Sequence, residues 1–153
     1  MAKVTITDYV DVMDGDSDNG LLFKLFTSTT DEIKAFELVG ADGDKAFGKA
    51  ASTNEARFLV IGAGVFGKTA GKGEALACTR LAEVKLSAAL SIGTKLYLAN
   101  TTAGVAGELV SDLATTELDL IQEVGVVVTD KTGGATSKFA LIDIRPSAVI
   151  PEA

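Results

Sequence analysis

The chain of 153 residues has no histidine, no tryptophan, one cysteine (Cys78), two prolines and three arginines (Arg57, Arg80 and Arg145). Each scarcity excludes something. Without histidine there is no His-based triad, no Cys–His pair, no HExxH zinc site and no imidazole acid–base chemistry. A single cysteine cannot form an internal disulfide and fits a reducing compartment. Basic residues number 14 against 21 acids, for a net charge of −7, and they form no stripe. Such a chain repels phosphate backbones, so no nucleic-acid partner is expected. No apolar run approaches the roughly 20 residues that a bilayer needs. The start, MAKVTITDYV, lacks a signal-type apolar segment. The expectation is a soluble protein, made in a cytoplasm, with no membrane partner. What is present suits a packed domain. At 47% hydrophobic and 23% charged residues, the chain can bury roughly two-thirds of its unfolded surface as one domain.

Hydrophobic periodicity organises the chain into strands. Val4, Ile6, Val10 and Val12 share one parity while Lys3, Thr5, Thr7, Tyr9 and Asp11 take the other, which reads as a strand with one buried face. An acidic loop follows, from Asp14 to Gly20, and then an apolar strand from Leu21 to Phe26. Thr29 and Glu32 have the spacing of a capping box. Ile33, Phe36 and Val39 then fit at most one short helix, near Asp31–Val39 and ending at Gly40. Residues 41–56 are small and polar and read as an exposed connection. From Arg57 onward, short apolar strands alternate with glycine- and threonine-rich turns: Arg57–Ile61, Leu76–Thr79, Leu81–Leu86, Lys95–Leu98, Glu108–Val110, Leu120–Thr129 and Lys138–Ile144. Close spacing without long helical segments predicts a mainly β fold, a small barrel or sandwich, rather than a parallel βαβ sheet. Residues 1–56 are expected to be an N-terminal arm or extension and residues 57–153 the β-barrel-like domain.

Several patterns invite chemistry. Gly62-Ala63-Gly64-Val65-Phe66-Gly67-Lys68-Thr69 satisfies the phosphate-cradling pattern G-x-x-x-x-G-K-[ST] after an apolar strand. That cradle needs a helix directly after Lys-Thr, with its N-terminus facing the phosphates. Here Ala70-Gly71-Lys72-Gly73 follows, and each glycine costs a helix about 1 kcal/mol relative to alanine. A glycine-rich hairpin is therefore preferred, with a small nucleotide-binding protein as the alternative. The same residues fit G-x-G-x-x-G, but the acid that would hold a ribose, Glu83, falls inside a strand. Asp14, Asp16 and Asp18 alternate as in a calcium loop, yet the sixth and twelfth positions are Asn19 and Leu25, so a solvated acidic turn is the better reading. Cys78 lies among Ala75, Leu76 and Ala77 and reads as a buried small hydrophobe. Asp42 with Asp44, and Asp112 with Glu117, sit in polar connections that offer no pocket to raise a carboxyl pKa. No catalytic, cofactor-binding or metal-binding residues are assigned.

The C-terminal half carries a resemblance. Ile92-Gly93-Thr94-Lys95-Leu96-Tyr97-Leu98 precedes a polar turn from Asn100 to Gly107 and then Glu108-Leu109-Val110. Next come Asp119-Leu120-Ile121-Gln122-Glu123-Val124-Gly125-Val126-Val127-Val128 and Phe139-Ala140-Leu141-Ile142-Asp143-Ile144-Arg145-Pro146. This order resembles the β-rich domain of capsid decoration (cement) and head-fibre proteins of tailed bacteriophages, over residues 57–150. The resemblance implies a non-enzymatic virion protein, made in the host cytoplasm, that binds the outer face of the major capsid protein shell, usually as a trimer or dimer, and stabilises it; the trimer is the expectation for this chain. It also leaves open a β-domain of a phage fibre. Residues 1–56 have no counterpart in the resemblance. Their apolar residues Val4, Ile6, Tyr9, Val10, Phe23 and Phe26 are the expected capsid contacts, by strand addition or as apolar anchors.

Overall fold

The computed structural model describes residues 3–12, 23–26, 33–41, 47–50, 55–63, 69–70, 75–99, 107–111, 120–130, 132–145 and 149–151. Among these residues every regular element is a β-strand. In chain order they are β1 (Lys3–Val4), β2 (Ile6–Val12), β3 (Phe23–Phe26), β4 (Ile33–Lys34), β5 (Leu38–Ala41), β6 (Phe47–Lys49), β7 (Phe58–Ala63) and β8 (Thr69–Ala70). They continue with β9 (Ala75–Thr79), β10 (Leu81–Ser91), β11 (Lys95–Leu98), β12 (Leu109–Val110), β13 (Leu120–Val128), β14 (Thr136–Asp143) and β15 (Val149–Pro151). The expected mainly β architecture is what the chain adopts, as a barrel-like sheet joined to a second sheet.

The first sheet runs β1-β12-β11-β13-β14-β10-β2, with β15 added to β13. Its two ends belong to one stretch of chain. Lys3 and Val4 pair with Val110 and Leu109, and after a break at Thr5 the residues from Ile6 to Val12 pair with β10. Thr5 bridges the break: its carbonyl accepts from the Ser87 N–H at 2.9 Å and its N–H donates to Ser87 Oγ at 3.2 Å. The sheet path thus returns to the segment on which it began, which gives the sheet its barrel-like course. Gly125 on β13 is set by close approach. A Cβ there would lie 2.7 Å from the Leu141 carbonyl oxygen and 2.9 Å from Ile142 Cδ1.

The second sheet runs β3-β9-β7-β5-β6, and β4 pairs with β8 beside it. Leu59 and Val60 are both fully buried, in opposite directions. Leu59 joins the main core with Leu38, Val84, Leu86, Leu96, Val124 and Ile142, whereas Val60 joins Ile33, Val39, Leu76 and Cys78. A strand covered on both faces reads as a continuous apolar run, as Phe58–Ile61 does. By contrast, β10 alternates, with Ala82, Val84 and Leu86 buried. Full burial of one such aliphatic side chain contributes about 1.5–3 kcal/mol. A side chain ties the sheets together: Gln122 on β13 is fully buried, accepts the Ala56 N–H at 2.7 Å and donates to the Ala56 carbonyl at 2.8 Å.

Two expectations for the N-terminal third are corrected. The apolar triplet Ile33, Phe36 and Val39 is not helical; the chain forms β4, a turn at Ala35–Phe36, and β5. Its amides are committed elsewhere. The Phe36 N–H donates to the Val60 carbonyl at 2.6 Å, the Leu38 N–H to Gly107 at 2.7 Å, and the Lys34 N–H to Glu37 Oε1 at 2.6 Å. Phe36 also has φ of 70°, outside any right-handed helix. The capping pair Thr29 and Glu32 lies outside the described residues. The connection 41–56 is not simply exposed either: Phe47–Lys49 form β6, and Ala50 and Ala56 are fully buried. Strands contributed by residues 1–56 are paired with strands from 57–153 in both sheets.

Candidate interaction surface

The residues expected to make contacts part company in the fold. Val4 and Ile6 point into the main core, 2% and 9% exposed. Tyr9 and Val10 are 46% and 50% exposed, two of the three large apolar residues that face solvent among the described residues; Ile92 is the third. Phe23 and Phe26 belong to β3, where they pair with Cys78 and Ala75.

Irregular pairing accounts for the exposure of Val10, which the alternation of Val4, Ile6, Val10 and Val12 assigns to the buried face. Glu83 pairs with Asp11 and Val84 with Tyr9, so Val10 has no opposite residue; Thr7 is skipped in the same way between Asp8 and Ile6. Such bulges break the strict alternation that otherwise sends every second side chain inward. Val10 then lines a depression with Glu83, Thr129, Asp130, Thr132 and Phe139. The turn at its rim is organised by Asp130, whose Oδ1 accepts from the Thr132 N–H at 2.8 Å and from the Thr132 hydroxyl. These bonds, the hydroxyl's first, hold the Asp130 carboxyl below the usual carboxylate range. The surface therefore has an apolar centre, Val10 and Phe139, with carboxylates at Glu83 and Asp130. The β2–β10–β14 pairing brings Phe139 beside Val10 and the β13–β14 pairing adds Asp130, a juxtaposition that no linear window contains.

The other sequence motifs resolve as follows. The helix required by a phosphate cradle is replaced at Thr69–Ala70 by β8, which pairs antiparallel with Lys34 and Ile33. The stretch belongs to the connection between β7 and β9, which are antiparallel neighbours; residues 64–68 lie outside the described residues. Glu83 sits within β10, as expected. Cys78 is fully buried in the second cluster, and burial pushes its thiol up to about 12. The acidic run Asp14–Asp18 and the pairs Asp42/Asp44 and Asp112/Glu117 lie outside the described residues. Among the described residues no group of three or more His, Cys, Asp or Glu side chains is placed to hold a metal ion.

The segments that carry the decoration-protein resemblance fall on β11, β12, β13 and β14, all of them in the first sheet. Compared with models of protein families, with curated proteins and with solved structures, the chain matches none.

Proposed function

We propose that this protein is a non-enzymatic virion component that binds the outer surface of a tailed-bacteriophage capsid as a homotrimer and stabilises the shell. The carrying observation is the exposure of Tyr9 and Val10, neighbours on the strand that joins the ends of a barrel-like sheet. Tyrosine is among the side chains enriched at the hot spots of protein interfaces. The resemblance of residues 57–150 to decoration domains supplies the kind of partner, the major capsid protein. An acidic exterior agrees with the role, since a net charge of −7 does not attract the DNA being packaged. Repetition on a shell favours a symmetric oligomer, and the resemblance supplies the trimer.

Co-sedimentation with shells assembled from the major capsid protein of the same phage tests the reading. The wild-type chain should pellet with shells in saturable, stoichiometric amounts. A Tyr9→Ser, Val10→Ser double variant should keep its cooperative unfolding and lose most of that binding. Absence of saturable binding by the wild-type chain would refute the capsid role; full binding by the double variant would move the contact off this face.

A further inference from the structure

Two of the three arginines in this acidic chain converge at one end of the second sheet. The antiparallel order brings four chain segments there: the start of β7, the end of β9, the end of β5 and the start of β6. Arg57 immediately precedes β7 and Arg80 immediately follows β9, and the two line a single open depression with Ala41, Phe47 and Phe58. The two phenyl rings meet edge to face, 5.7 Å apart at 69°. Both arginine backbones are anchored. The Arg57 N–H donates to the Val39 carbonyl at 2.8 Å, and the Arg80 carbonyl accepts from the Ile144 N–H at 2.9 Å. Glu55 steadies the Arg57 guanidinium through a 2.7 Å contact to Nη2, while Nε is buried with no acceptor among the described residues.

We propose that this depression binds a carboxylate-bearing segment of a protein partner. A guanidinium has five N–H donors, and Glu55 engages one nitrogen of Arg57, so the group retains capacity for a second carboxylate. The phenyl rings supply an apolar floor for the residue that flanks the acid. Dense polyanions are disfavoured, because the chain as a whole carries −7. An open depression would leave most of a small molecule in water, whereas an extended peptide continues across the surrounding surface. The site does not depend on the capsid reading and stands or falls separately from it.

Nuclear magnetic resonance on the full chain provides the test, because its three arginines give three side-chain Nε–H signals. The probes are acetyl-Glu-Phe-Glu-amide and its counterpart with Gln in place of each Glu. With the Glu peptide, the signals of Arg57 and Arg80 should shift saturably while that of Arg145, paired with Asp143 at 2.7 Å, stays still. Arg57→Gln and, separately, Arg80→Gln should each weaken binding about tenfold, the loss of about 1.4 kcal/mol. Arg80 is exposed, so its variant keeps the test decisive even where Arg57→Gln disturbs folding. Parallel shifts of all three arginines, equal affinity for the Gln peptide, or unchanged affinity in Arg80→Gln would overturn the proposal. So would tighter binding of inorganic phosphate than of the Glu peptide.

Discussion

Replacing Gln122 probes the joint between the sheets. Its carboxamide satisfies both backbone groups of Ala56, 66 residues away, and both residues are fully buried. Gln122→Leu keeps roughly the same volume and strands one N–H and one carbonyl. A buried backbone group left without a partner costs about 1–3 kcal/mol, so the pair costs about 2–6 kcal/mol. Domains of this size have about 5–15 kcal/mol in total. With a urea slope of about 2 kcal/mol per molar, a loss of about 3 kcal/mol lowers the unfolding midpoint by about 1.5 M. Gln122→Glu adds a sign test. A protonated carboxyl can still accept from the Ala56 N–H and donate to its carbonyl, whereas a carboxylate opposes that carbonyl and loses its hydration. Burial therefore raises the folded-state pKa above the usual value of about 4.3. A raised folded-state pKa means that stability is fully present below about pH 4.3 and falls as pH rises above it. Relative to wild type, the Glu variant should be nearly normal in mild acid and weakest at neutral pH. A Leu variant within about 0.5 kcal/mol of wild type, the range of ordinary surface substitutions, would refute the reasoning.

Gly125→Ala should destabilise by about 1–3 kcal/mol through overpacking, because the new methyl would meet the Leu141 carbonyl at 2.7 Å; a neutral result in chemical denaturation would show that β13 and β14 separate easily. Phe36 at φ 70° should make Phe36→Gly more stable than Phe36→Ala by about 1 kcal/mol, the reverse of the usual order, and equal midpoints would contradict the strained turn. Cys78 should resist iodoacetamide in the folded chain and react on unfolding. Its thiol is raised from 9.0 to about 12, so its contribution to stability is complete below about pH 9 and is lost as pH rises towards 12. Rapid native-state alkylation at pH 8 would disprove burial.

Local alternation was legible wherever one face of a strand meets the core: Lys95–Leu98 was read with its observed bounds, and the Ala82, Val84, Leu86 parity is the buried one. The Ile33, Phe36, Val39 spacing misled for a definite reason. Ile33 and Val39 enter the second cluster and Phe36 packs against the main core, so a strand–turn–strand produced an interval that a helix also produces. Ala50 and Ala56 are small residues in polar company, and their burial comes from contacts with Leu38 and Gln122 that no local window contains. The same limit applies to the candidate surface. Alternation sends Val10 to the buried face and Tyr9 to the other; the bulge against β10 leaves Val10 exposed instead, a departure that no local pattern announces.

The pairing of residues 3–12 also constrains how any contact with a shell is made. A detached arm would offer its free backbone to a neighbouring subunit, yet here Val4 and Ile6 are spent in the core and the backbone from Ile6 to Val12 is bonded to β10. Releasing that strand would expose two buried aliphatic side chains, about 3–6 kcal/mol of burial, before any ladder bond is counted. Domains of this size have about 5–15 kcal/mol to lose, so a binding mode that begins by extracting the strand competes with unfolding itself. The economical mode keeps the strand in place and presents its outward side chains. On this argument Tyr9 and Val10 are presented already in place, and their contribution to binding should come with little ordering cost, because their strand is bonded to β10 beforehand.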